Sequence, residues 1–166
     1  MRKSDIFFLY DYHCWANKRI LDAAAALDDA DFLAARSLVW GSVHRTLVHA
    51  CGAEWLWRQR MLGHAPTALP TESDLPDLAT IRARFEQEEA GMRAYLGSLT
   101  DEQLSSQISY RTTKGVEYRA LLWELLFHVV NHGTQHRAEV AQALTDLGHS
   151  PGDIDVIVYQ RRKAPM

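Results

Sequence analysis

The sequence predicts an all-α protein, a four-helix bundle with long connections and a small hairpin before the last helix. Three observations predict it. Four long segments repeat apolar side chains at helical spacing. Glycine, proline and short polar residues punctuate their ends. The 166 residues suit one domain, 1–166, because a shorter piece such as the first 62 would enclose a thin core.

The first helix is expected from near Ser4 to Leu27, with Ile6, Leu9, Ile20, Leu21, Ala24 and Leu27 facing inward. Asp28-Asp29-Ala30-Asp31 breaks the pattern, and residues 31–41 leave room only for a short turn around Phe32-Leu33. A second long helix starts at a Gly41-Ser42 cap and runs to about Leu62, where Gly63 and Pro66 stop it. Val43, Leu47, Ala50, Trp55 and Leu62 should be its buried residues. A loop with Pro66, Pro70 and Pro76 leads to a third long helix over Asp77–Leu99, followed by a brief start at Thr100-Asp101-Glu102-Gln103. Ile108–Thr112 and Val116–Tyr118 flank Lys114-Gly115 and read as a small hairpin. The last long helix spans Arg119 to Leu147 and would extend ~43 Å. The tail at 153–159 reads equally as a helical turn or an edge strand.

Composition narrows the class. At 47% hydrophobic and 23% charged residues the chain is neither disordered nor membrane-embedded, and no apolar run approaches the ~20 residues of a membrane span. The run Ile6–Tyr10 is cut short by Asp11 and His13, which argues against a signal peptide and for a cytoplasmic location. Cys14 and Cys51 lie within helical patterns without metal-type spacing, as reduced, buried thiols do. A net charge of -3 with interspersed signs offers no footprint for nucleic acid. A small-molecule substrate is the expected partner, and neither a glycine-rich phosphate loop nor a nucleophile elbow is present.

Histidine is the compositional outlier, with eight in all and three at 128, 132 and 136. At ~100° per residue these three lie within ~80° of one another on one helical face. Glu139 falls about 20° from His128 on the same face. Three imidazoles and a carboxylate are costly to bury without partners, and imidazoles one turn apart can bind one ion together. A further ligand has to come from another helix. His49 is placed for it among apolar neighbours on the second long helix, whereas His44, about 140° away, should face solvent. His13, His64 and His149 are weaker candidates. Trp15, Trp55, Trp57, Trp123 and Tyr12 read as core aromatics, and Arg45 and Arg60 fall near the His49 face, where either salt-bridging or anion binding suits them.

Tyr12-His13-Cys14-Trp15-Ala16-Asn17, Ser42–His49, Trp57–Gly63 and Asn131–Arg137 resemble, in order, the motifs of the DinB-like damage-inducible proteins, and Asp155–Tyr159 is similar to the family's closing segment. The resemblance covers nearly the whole chain. It implies an up-down-down-up type of bundle with a divalent metal, often zinc or nickel, on three histidines, which by position are His49, His132 and His136. His128 matches a position that usually neighbours the site. The chain departs from the family pattern at His13, where asparagine is common, at Gln135, where histidine is frequent, and at Ala138-Glu139, where Gly-Gln is usual.

Three neutral imidazoles leave an ion its full charge and an open position, the arrangement of a catalytic site. Glu139 and His128 are the candidate catalytic residues, each able to orient a ligand or accept a proton. The resemblance implies a metal-dependent transferase acting through a low-molecular-weight thiol. A metal-hydroxide hydrolase and a non-catalytic metal-binding stress-response protein are the alternatives. Related bundles often pair, so a homodimer is an expectation as well.

Overall fold

The computed structural model describes residues 1–163. Its long helices are α1 (Lys3–Ala24), α3 (Val43–Met61), α4 (Leu78–Ser98) and α6 (Leu122–Asp146). Shorter pieces fill the connections: α2 (Asp29–Leu33), α5 (Asp101–Leu104), and an antiparallel hairpin of β1 (Gln107–Arg111) and β2 (Glu117–Leu121). α7 (Val156–Lys163) follows α6. The expected bundle and hairpin are both present.

Local chemistry sets the starts. The Ser42 hydroxyl accepts from the Arg45 N–H at 3.0 Å, the Asp77 carboxylate from Thr80 at 2.8 Å, and the Thr100 hydroxyl from Gln103 at 3.3 Å. Each satisfies a helix-end donor that would otherwise lack a partner. Gly63 ends α3 in the left-handed region at φ +85°, where a side chain would be strained.

Three expectations need correcting. The last long helix begins at Leu122 instead of Arg119, because β2 continues through Leu121 in register with Gln107. Leu62 is exposed, since it lies just beyond the last turn of α3 and has left the inward face. His44 is buried, and its Nε2 donates to the Leu75 carbonyl at 2.7 Å. The proline-containing connection folds back over the start of α3 and covers the face that the helical wheel assigned to water. The undecided tail is helical, and Tyr159 of α7 is buried among Tyr12, Ala16 and Val130.

α6 packs on both α1 and α3, and α4 packs on both from the opposite side, so α1 and α3 face each other diagonally. The apolar core is divided. Of its two larger clusters one gathers Ile20, Leu47, Cys51, Phe85, Val140 and Leu144, and the other Ile6, Met61, Met92, Leu96, Leu125 and Val129. Between them lies a polar midsection. Its centre is Glu54, whose carboxylate accepts from the Tyr10 hydroxyl at 2.6 Å and from His13 Nε2 at 3.0 Å. Arg137 donates to His13 Nδ1 at 2.9 Å, to Asn17 Oδ1 at 2.8 Å and to the Thr134 hydroxyl at 2.8 Å. Glu88, almost wholly buried, takes Arg58 at 2.7 Å and Arg84 at 2.9 Å. The chain meets the cost of these buried charges by pairing nearly all of them. Gly133 makes the arrangement possible, because a Cβ there would lie 2.4 Å from the His13 ring.

Candidate metal centre

α6 runs past α3 at the level of this polar midsection, and three imidazoles meet in the seam. His132 and His136 stand one turn apart on α6, and His49 faces them from α3. His49 Nε2 and His132 Nε2 are 3.2 Å apart, as are His132 Nε2 and His136 Nε2, and the three donor atoms all lie within 4.8 Å of one another. Two nitrogens bound to one tetrahedral ion at ~2.0–2.1 Å would sit about 3.3 Å apart. The spacing therefore suits a shared ion.

The proton inventory supports the same conclusion. His136 Nδ1 faces Glu139 Oε2 at 3.3 Å, so the ring proton belongs there and Nε2 presents a lone pair to the cluster. Burial, followed by the neighbouring His136, lowers the His132 pKa to about 3 and that of His49 to about 4. The close Nε2 pairs can be bridged by a ring proton between two of them or by a cation shared among all three. A divalent cation satisfies all three at once, and the donor set fits it.

The surroundings are aromatic. The indole of Trp40, in the loop before α3, stacks on the His49 imidazole with centroids 3.8 Å apart and planes 18° from parallel. Gly41 follows it at φ +86° and turns the chain into the Ser42 cap. His128 does not reach the cluster. Its ring is 5.6 Å from that of His132 and packs edge-on against Trp57 at 4.9 Å.

The other sequence candidates are dispersed. His13 is buried in the midsection with Glu54, and burial lowers its pKa. His64 is exposed and bonded to Gln59 at 2.7 Å, and His149 lies beyond the end of α6. Arg45 makes a surface pair with Glu72 at 3.1 Å, while Arg60 is buried over the Trp57 ring. Cys14 and Cys51 are unpaired, and burial raises both thiols far above the ordinary range. Sequence reasoning missed Trp40, Glu54 and the buried role of Arg137. Glu54 had a signal, since it is a lone carboxylate amid Cys51, Gly52, Ala53 and Leu56. Trp40 had none, because a loop residue has no periodicity to follow.

Comparison with known proteins agrees with this architecture. The chain is 27% identical over 158 residues to "Protein DinB" of Bacillus subtilis (strain 168), covering 92% of each chain. The DinB family model matches residues 1–165. With the bundle, the hairpin and the three-histidine cluster in place, the chain belongs to the DinB family.

Proposed function

We propose that the protein is a metal-dependent enzyme that activates a low-molecular-weight thiol for transfer to an electrophile. The observation that carries this reading is an open cluster. Three imidazoles converge, and among the described residues no fourth histidine, cysteine or carboxylate joins them. Structural sites usually complete their coordination with protein ligands, whereas catalytic sites leave a position for a reactant. Zinc or nickel suits a neutral three-nitrogen donor set.

When bound, the ion supplies positive charge that favours a thiolate over a thiol at neutral pH. His49, His132 and His136 hold it, and Trp40 keeps the His49 ring in plane by stacking. Glu139 fixes the His136 tautomer through Nδ1. With Glu139 engaged on His136, His128, whose ring lies 5.6 Å from that of His132, is the proton acceptor in this scheme. In the transfer, the thiol proton passes to that base and sulfur forms a bond to the electrophilic carbon. The bond to the leaving group breaks with its electron pair.

The test compares loaded, metal-stripped and His132→Ala protein with thiol–electrophile pairs. Stripping and H132A should each abolish thiol-dependent product formation with helical content unchanged, and restoring metal should rescue only the wild type. Full activity in stripped protein would overturn the proposal. Product formed equally well without thiol would point instead to hydrolysis.

A further inference from the structure

Arg60 is 6% exposed, yet among the described residues it has no hydrogen bond and no carboxylate within 4.0 Å. Other deeply placed arginines use their terminal nitrogens: Arg58 holds Glu88, and Arg137, whose Nε also lacks a partner, holds His13, Asn17 and Thr134. Arg60 instead lies over two rings, with its guanidinium carbon 4.6 Å from the Trp57 centroid and 5.6 Å from that of Tyr110. Only its Nε is both sealed from solvent and without a partner, so the terminal nitrogens keep an approach for a ligand. Aromatic faces offset part of the cost of burying a cation but cannot accept its N–H groups as a carboxylate does.

Its position relates it to the histidine cluster. Arg60 follows His49 by eleven residues on α3, which places both within about 20° on one face and ~16 Å apart along the axis. A chain of ring contacts links them, from Arg60 over Trp57 to His128 and on to His132, in steps of 4.6, 4.9 and 5.6 Å. The Arg60 charge also reaches His128, where it adds to burial in lowering that imidazole's pKa.

We propose that Arg60 is the anion anchor of this site and binds a carboxylate on the molecule whose other end reaches the three histidines. The identity of that molecule as a thiol rests on the function proposed above; the anion site does not. A single planar guanidinium with no lysine partner suits a carboxylate, which it can take through two parallel hydrogen bonds. The rings of Trp57 and His128 between the two ends suit a ligand with an apolar or flat middle. The substrate class is therefore an elongated thiol acid, or an acid-bearing electrophile, about as long as the separation of His49 and Arg60.

Two measurements separate this inference from the thiol reading. The first uses metal-free protein and octanoate, with octanol as the neutral control, followed by calorimetry. Wild type should bind octanoate more tightly than octanol, and Arg60→Met should weaken octanoate roughly tenfold or more while leaving octanol unchanged. Arg60→Lys should recover part of the loss. Should R60M fail to fold, Arg60→Gln, checked by circular dichroism, replaces it. Equal octanoate affinity in wild type and the folded variant overturns the proposal.

The second measurement uses cobalt-loaded protein and ω-mercaptoalkanoates of three, six, eight and eleven carbons, read by the absorption change on thiol addition. Affinity should rise with chain length in wild type, and R60M should flatten that rise. A rise that is unchanged in R60M overturns the anchor. No absorption change with any thiol, alongside Arg60-dependent octanoate binding, would retain the anchor and reject the thiol function.

Discussion

Glu139 Oε2, 3.3 Å from His136 Nδ1, decides which nitrogen of that ring carries the proton. Glu139→Gln should therefore weaken metal binding by about 10–100-fold without abolishing it, as measured by chelator competition. An unchanged affinity would remove Glu139 from the site. His13 makes a different prediction. Burial lowers its pKa in the folded protein, so below its ordinary value near 6.5 the unfolded chain takes up a proton that the folded one refuses. Stability from this group is present above about pH 6.5 and is lost as pH falls toward the folded pKa. The urea midpoint of metal-free protein should drop between pH 7.5 and 5.5. His49, His128 and His132, all lowered, act in the same direction. His13→Gln should thus reduce the slope without removing it, and an unaltered slope would contradict the assignment. Glu54 adds nothing in that window. Burial opposes its charge, but His13, Tyr10 and Arg137 outweigh it and hold the carboxyl below its ordinary pKa.

Among the elements, α1 and α6 approach each other through Gly133. A methyl there would meet His13 at 2.4 Å and Arg137 Nη1 at 2.8 Å, so both must shift and the polar midsection must open. Gly133→Ala should destabilise by about 1–3 kcal/mol, as overpacking does, even though alanine is the better helix former. A more stable G133A variant would show that the close approach carries no weight. The same scale shows what was legible beforehand. Ser42, Asp77 and Thr100 start helices by local hydrogen bonds, which is why their positions were readable. His132 and His136 share a face by helical period alone. His44 was misplaced because its burial depends on Leu75, 31 residues later, and no wheel contains that connection. Arg60 had the right face, but its lack of a partner is a property of three packed elements. His49 joined the cluster by its apolar setting and by resemblance, since nothing in α3 alone selects α6 as its partner.

For the whole molecule, the cluster is a bridge between α3 and α6, formed only when both are folded. A metal that binds the native state and not the unfolded chain should stabilise by about 2.7 kcal/mol at a hundredfold excess over its Kd. For a chain of this length that is roughly 5–10 °C in unfolding midpoint, measurable by calorimetry with and without zinc. H49A, which cuts the bridge on one side, should lose most of the increment; retention of the full increment would place the ion elsewhere. Among the described residues no helix is long and apolar enough to cross a membrane.

The divided core has one more consequence. Leucine and valine layers are nearly interchangeable, and rods packed through them alone could slide by a turn at small loss. Here such a slide would carry Glu54 away from Tyr10 and His13, and would set Arg137 against aliphatic side chains. The ionic layer thus works as a key in a slot, indexing α1, α3 and α6 along their common axis. Because His49, His132 and His136 ride on two of those rods, their meeting is machined in advance by residues that never touch the ion.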